Sequence, residues 1–429
     1  MKNMKKYLAV AVLCLNLSPV LYAQGIRMLP VITPAGKGKV NTRIDNIGYW
    51  HRMVQMGYVR PDAAIAVPEA RFDGTQIIPY GAPAEGNRHP SLVQNSPDVP
   101  VTGETEVTQS ENSVYSDPNE EEVVLNSNNS SNWVSGYAET AYGADALWSL
   151  TNGGQWNGTT QGINGNNAGD PAVAIGRNGW WYVGRITADY GQAVSYSKDQ
   201  GKSWKRVKVG DGPTIGLGLL DKNHLAIDNS LSSPYEGNVY AAWTNFIPNS
   251  PDTNQVQIVR STDRGVSWWY PVTISTAVAG QKLNHGVNVQ TGPAGEVYAA
   301  WSIYDTWPSD ETAIGFARSF NGGGVFQPAM RILTNLKGIR ASMTGKNMRV
   351  NSFPSMAVDN SSGPHRGTVY VVWSNRGVPG INTGNDLDIY LVKSTDQGST
   401  WSSPVRVNQD PAGQGNEHYF PWITCDPVT

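Results

Sequence analysis

The chain has 429 residues, room for one large domain or two ordinary ones, with 16% charged residues and a formal net charge of −3. No Arg/Lys-rich patch stands out, which argues against a nucleic acid partner, and 46 Gly, 15 Trp and 19 Tyr suit an all-β protein with many tight turns. Two cysteines cannot make a disulfide-dense scaffold, and no stretch is apolar over the length a membrane-spanning helix needs.

In chain order, residues 1–23 read as a secretory signal peptide. Lys2, Lys5 and Lys6 form its positive start, Tyr7 to Leu15 its short apolar core, and Leu21-Tyr-Ala23 a small-residue cleavage site. Cys14 reads as an ordinary apolar signal residue, because Leu13 stands where a lipoprotein site takes a small residue. Cleavage removes three lysines and no acid, leaving a net charge of −6 and Cys425 as the lone cysteine. The expected location is secreted, periplasmic or cell-surface. Residues 24–105 form a non-propeller N-terminal segment, a pro-segment or linker, and 81–112 are rich in Pro, Asn, Ser and Glu.

From residue 106 onward the chain repeats. Five copies follow the template Ser-x-Asp/Asn-x-Gly-x-x-Trp/Phe: Ser149 to Trp156, Ser197 to Trp204, Ser261 to Trp268, Ser319 to Phe326 and Ser394 to Trp401. In the degenerate first copy Thr151 holds the Asp position. Asp or Asn accepts hydrogen bonds from turn amides, Gly supplies positive φ, and the aromatic begins the next strand. Ahead of each turn lie two strand signals. The first strands align as Pro171 to Ile175, Leu225 to Asp228, Val287 to Val289 and Pro354 to Asp359. The second align as Tyr182-Val-Gly-Arg185, Tyr240-Ala-Ala-Trp243, Tyr298-Ala-Ala-Trp301 and Tyr370-Val-Val-Trp373. A fourth strand follows each turn, as in Pro271 to Ile274 and Pro404 to Val407. A weaker first unit contains Ser113 to Asp117 and Glu122 to Leu125. Four short antiparallel strands per unit predict β-propeller blades.

Glu417 to Asp426 matches a sixth first strand. A propeller closes its ring to protect sheet edges. The expectation is therefore five blades and the start of a sixth over 106–429, in a truncated chain; the alternative is that residues 60–80 donate the missing strands.

The repeated turn resembles the Asp-box, or bacterial neuraminidase repeat, of the sialidase superfamily, over roughly residues 106–429. The resemblance implies a six-bladed sialidase-like propeller. It also places the repeated turns on the face away from the pocket, as structural devices. Function then falls to the opposite strand ends. Those entering the first strands carry Asp170, Asp221, Lys222, His224, His285, Arg349, Asn351, Glu417 and His418. The loops after the second strands carry Arg185, Asp189, Tyr190, Asn245, Tyr304, Asp305, Asp310, Glu311, Arg376, Asp386 and Asp388. His224, His285 and His418 fall at similar places and predict a polar ring around the channel; singly, each reads as well as a strand-end cap. Arg185 stands where sister units carry Trp, which fits carboxylate recognition or an arginine stem packed in place of the ring.

Sialidase chemistry uses a tyrosine nucleophile, an activating glutamate, an acid/base aspartate and three carboxylate-binding arginines. The resemblance carries these roles to Tyr190 or Tyr304, to Glu311 or Glu417, to Asp170 or Asp189, and to Arg185, Arg349 and Arg376. The family's Arg-Ile-Pro motif is absent from the start of the propeller; Arg27-Met-Leu-Pro30 lies far ahead of it. The remaining substrate-binding candidates are Asp221, Lys222, His224, His285 and His418. Asn382 to Asp388 offers oxygen ligands of the kind calcium takes, Asp386 and Asp388 among them, but reads first as a solvated loop. No metal site of the cysteine type and no cofactor motif is expected.

Three functions compete. The first is an exo-sialidase-type glycoside hydrolase acting on terminal acidic sugars of a glycan or glycoprotein. The second is a non-catalytic carbohydrate- or protein-binding propeller, and the third a structural surface domain. Oligomeric state is left open.

Overall fold

A computed structural model describes residues 107–132, 141–159, 162–164, 167–213, 218–247, 254–278, 283–306, 309–340 and 350–427, residue 101, and three short N-terminal pieces. The signal sequence, Arg27 and Arg349 lie outside the described residues. The three pieces are β1 (Lys39–Asn41), β2 (Glu69–Phe72) and β3 (Ile77–Pro79), paired antiparallel in that order. No described pairing joins them to 417–426.

Five antiparallel sheets follow. The first comprises β4 (Val107–Ser116), β5 (Val124–Asn132), β6 (Ala141–Ala144), β7 (Ala146–Ser149) and β8 (Asn157–Thr159). Its order is β4-β5-β7-β8, with β6 also on β5. The others are simple four-strand meanders. The second contains β9 (Asn167–Ile175), β10 (Trp181–Thr187), β11 (Gln192–Ser197) and β12 (Lys205–Gly210). The third contains β13 (Leu219–Ile227), β14 (Val239–Phe246), β15 (Asn254–Ser261) and β16 (Val272–Thr273). The fourth contains β17 (Leu283–Thr291), β18 (Val297–Tyr304), β19 (Ala313–Ser319) and β20 (Met330–Leu333). The fifth contains β21 (Ser355–Val358), β22 (Val369–Arg376), β23 (Leu387–Ser394) and β24 (Val405–Arg406).

The first strands pack one against the next, β4 on β9, β9 on β13, β13 on β17 and β17 on β21. That is the arrangement of propeller blades around an axis. The second strands β10, β14 and β18 are largely apolar on both faces because each is covered by a blade on either side. Along β14, Val239, Ala241 and Trp243 face the second sheet, while Tyr240 and Ala242 face the fourth. Trp243, Trp301 and Trp373 are each at most 1% exposed. Burying a ring of that size contributes on the order of 4 kcal/mol of transfer free energy.

The repeated turns all connect third to fourth strands, at the sheet ends opposite the entry of the first strands. In the second sheet Ser197 Oγ donates to Asp199 Oδ1 (2.8 Å) and accepts from Gly201 N–H (2.9 Å). Asp199 Oδ1 also accepts from Ser203 N–H (2.8 Å). The pattern recurs around Asp263, Asn321 and Asp396. In the four later turns the glycine also seats on an aromatic of the preceding blade. Gly201, at φ +82, leaves no room for a Cβ over Trp148, and Gly398, at φ +80, lies equally close to Phe316. The repeats therefore clasp neighbouring blades as well as turning the chain.

Two boundaries differ from expectation. Residues 107–112, read as linker, are strand, because β5 supplies the ladder that polar composition alone does not reveal. Residues 417–426 form no ladder. They make one parallel bridge, Glu417 to Leu387, and a hydrogen bond from Ile423 N–H to Ser355 Oγ (3.3 Å).

Candidate functional site

A left-handed residue interrupts most of the first strands at one level. Glu111 (φ 50), Asp170 (φ 54), Lys222 (φ 52) and Gly286 (φ 72) occupy equivalent places, and Phe420 (φ 57) repeats the conformation in the C-terminal segment. The ladders show why: at each place on β4, β9, β13 and β17 the first strand carries an extra residue relative to the second, so it bulges. A bulge re-aims side chains, and here it turns them toward the axis. The result is a cavity of about 550 Å³ lined by all five first strands and by Phe420, Pro421 and Trp422. Two residues beyond the bulge, Ser113, His224, Asn288 and Ser355 offer polar groups to it, and Phe353, Phe420 and Trp422 offer aromatic faces.

Behind that lining a relay of hydrogen bonds links blade to blade. Asn129 Oδ1 accepts from Asp170 N–H (2.7 Å), and Asp170 Oδ2 accepts from Lys222 N–H (2.8 Å). His285 Nε2 lies 3.4 Å from Asp221 Oδ2, and its Nδ1 is 3.1 Å from Thr244 Oγ1. Ser302 Oγ donates to Ser352 O (3.1 Å). Lys222 Nζ reaches past the second blade to Glu111 Oε2 (3.2 Å).

Burial sets the protonation of this layer. It pushes Asp170 well above the usual carboxylate range, and the neighbouring Asp221 and Glu111 charges push the same way. Burial drives His285 down to about 3 and His224 down to about 4, the second helped by Lys222. His224 Nδ1 accepts from Val289 N–H (3.3 Å), so its ring is held as the neutral tautomer carrying hydrogen on Nε2. Desolvation also opposes the charge of Lys222, but its acidic neighbours, Glu111 foremost, outweigh it and hold the ammonium above its ordinary value.

The structure thus brings Asp170, Asp221, Lys222, His224 and His285 together, with Asn351 on the same cavity. It does not bring the other candidates there. Tyr304 and Glu311 are each 1% exposed and lie outside the lining. The Tyr304 hydroxyl donates to Glu311 Oε1 (2.9 Å), and the same carboxylate accepts from the backbone N–H of Ser352, Ile339 and Arg340. Burial and the Glu311 charge push the Tyr304 hydroxyl well above its ordinary value, the reverse of what an ionising nucleophile needs. Asp189 lies at the surface, lowered first by its hydrogen bond from Lys208 (2.8 Å). Tyr190 sits in the β10–β11 turn with φ 63, its carbonyl accepting from Leu220 N–H (3.0 Å). Glu417 is half-buried on the bridge to Leu387.

The three histidines do not share a register. His285 precedes its bulge, His224 follows its own by two residues, and His418 Nε2 lies 3.2 Å from Asp410 Oδ1, off the lining. Arg185 is 1% exposed within β10, and Arg376 closes β22, with Nη1 donating to Asn385 O (3.3 Å). Neither lines the cavity. In the calcium-type loop, Asp388 Oδ1 accepts from Arg406 (2.9 Å) and Asn408 (2.7 Å), while Asp386 accepts from the amides of Gly413 and Gly415. Asp388, Asp410 and His418 do cluster, but the Arg406 guanidinium already supplies the cation between the two carboxylates. Glu111 and the aromatic lining residues Phe353, Phe420 and Trp422 are what the sequence reading missed.

No family model matches the chain, and no curated protein matches it in sequence. Solved structures do resemble it. The GH93 α-L-arabinofuranosidase of Fusarium graminearum, solved with arabinobiose, is 14% identical, over 73% of this chain and 83% of that one, with a TM-score of 0.46. The intramolecular trans-sialidase from Ruminococcus gnavus is 12% identical over 56% and 70%, with a TM-score of 0.36. The Aleuria aurantia lectin is 10% identical over 70% and 79%, with a TM-score of 0.40. None of these likenesses assigns a role to a residue of this chain.

Proposed function

We propose that the chain is an exported carbohydrate-binding propeller whose axial cavity holds one sugar unit of a glycan or glycoprotein. Residues 417–426 take the place of a sixth first strand in that ring. The observation carrying the reading is the cavity itself: pre-oriented polar groups from five strands face the aromatic surfaces of Phe353, Phe420 and Trp422 across about 550 Å³. Sugars present both kinds of surface, hydroxyls at the rim and C–H patches on the ring faces. The groups are held by buried partners, so little ordering is left to be done on binding.

Hydrolysis is the second reading, and Asp170 favours it. Its carboxyl is held protonated behind the wall while Glu111 stands on the wall, a pairing of acid and carboxylate of the sort glycosidases use. The sialidase form of that reading has the least support, because Arg185 and Arg376 do not line the cavity and Tyr304 is buried beside Glu311.

A glycan array probed with the wild type and with Phe420→Ala/Trp422→Ala tests binding, and a panel of fluorogenic glycosides that includes a sialoside tests hydrolysis. Binding lost in the double variant supports the reading. Unchanged binding moves the site off the axis. Turnover abolished by Glu111→Gln establishes the hydrolytic form, and no binding to any glycan removes both.

A further inference from the structure

The charge of the cavity wall narrows the class of sugar, and this step rests on the carbohydrate reading above. Of the charged side chains on the lining, Glu111 and Lys222 are of opposite sign, and they pair at 3.2 Å with 23% and 33% of their side chains exposed. The two cancel. Behind them the Asp221 carboxyl is fully buried, and among the described residues no lysine or arginine other than Lys222 lines the cavity. His224 accepts a backbone N–H through Nδ1 and His285 is shared between Asp221 and Thr244, so neither ring supplies a positive charge. Arg340 acts on both His285 and Tyr304, beside the latter together with Glu311, of opposite sign.

We infer that the axial cavity selects uncharged sugar units and turns away carboxylated ones. A ligand carboxylate there meets one ammonium already engaged by Glu111, with the Asp221 carboxyl buried behind it. In a partly buried site that repulsion is only weakly screened. Lys222 and Glu111 instead present one donor head and one acceptor head side by side, a fit for neighbouring hydroxyls of a neutral ring. The wall also explains why a sequence without the Arg-Ile-Pro motif still builds a polar pocket: its polarity comes from paired charges.

Arrays printed with matched pairs decide it: galactose- and galacturonate-terminated, glucose- and glucuronate-terminated, lactose and sialyllactose. The neutral member is expected to bind at least about tenfold tighter in each pair that binds. Glu111→Gln is expected to narrow that gap by freeing Lys222, and Lys222→Gln to widen it. Opposite responses of two variants at one ion pair cannot both come from misfolding. Equal or tighter binding of the acidic member by the wild type overturns the inference and leaves the carbohydrate reading standing. Absence of binding to any printed glycan overturns both.

Discussion

Asp170 Oδ2 accepts the backbone N–H of Lys222 at 2.8 Å, so a buried carboxyl of one blade holds the bulge of the next. Because burial and the nearby acids keep Asp170 protonated, an amide of the same shape should serve. Asp170→Asn is expected to change stability by less than about 1 kcal/mol at pH 7, and Asn also tolerates the left-handed backbone. Asp170→Ala leaves the Lys222 N–H without its acceptor and is expected to cost about 2–4 kcal/mol. Urea midpoints of the two variants check this. Equal losses would mean that the carboxylate charge itself is needed.

The relation between Asp170 and Lys222 also marks where sequence reading stops. The turns around Asp199, Asp263 and Asp396 were legible because their chemistry is local: serine, acid and glycine satisfy one another within a few residues. Strand order followed from that period. The bulges were not legible, since Glu111, Asp170, Lys222, Gly286 and Phe420 share a backbone conformation and no residue type. At Asp170 and Lys222 the neighbouring blade holds the conformation, through Asn129 Oδ1 and Asp170 Oδ2 respectively. A faint signal was present in the prolines that follow directly, Pro171 and Pro421, with Pro354 at the equivalent place. The histidine ring failed because spacing along a strand gives no register across a bulge. The pairing of Tyr304 with Glu311 was within reach of sequence reading, but its burial, which decides its role, depends on the backbone of Ile339, Arg340 and Ser352 lying against Glu311.

Asp145 offers an opposite test of burial. Desolvation pushes its carboxyl up to about 6 despite the bonds from Asn128. A raised carboxyl favours the native state fully below its unfolded value near 3.8, and that advantage is lost as pH rises to about 6. The loss is on the order of 3 kcal/mol. The wild type should therefore lose about 3 kcal/mol relative to Asp145→Asn from pH 4 to pH 6. A difference independent of pH would contradict it.

His224 titrates in the other direction. Its pKa is lowered to about 4 by burial and Lys222, so its contribution is present above the unfolded value near 6.5 and is lost as pH falls toward 4. His224→Gln keeps an acceptor for Val289 N–H and removes the titration. The wild type should lose about 3 kcal/mol relative to this variant between pH 6.5 and 4. Because Asp145 and Asp170 act in the opposite direction and His285 in the same one, the wild-type curve mixes several groups and the two variants have to be read separately.

Tyr304→Phe removes one hydrogen bond to Glu311 and nothing at the cavity. The expected cost is about 1 kcal/mol in stability, with glycan binding and any hydrolysis unchanged. Glu311→Gln turns an amide N–H₂ toward backbone donors and should cost about 3 kcal/mol. Loss of turnover in Tyr304→Phe at wild-type stability would instead make it a nucleophile.

Arg185 is the position where the two sequence-level readings still diverge. Its Nη1 and Nη2 are buried and find no hydrogen-bond partner among the described residues, where Trp243, Trp301 and Trp373 fill the same place in sister blades. Burial, and then Arg206, lower it to about 10, so it remains charged at neutral pH. A buried, unpaired guanidinium is costly, and an apolar side chain of similar reach removes that cost. Arg185→Met is expected to raise stability by about 1–3 kcal/mol in low-salt buffer. If instead Arg185 holds an anion, sulfate will raise the melting temperature of the wild type and leave that of Arg185→Met where it was. Melting curves of both proteins with and without sulfate separate a packing stem from an anion ligand.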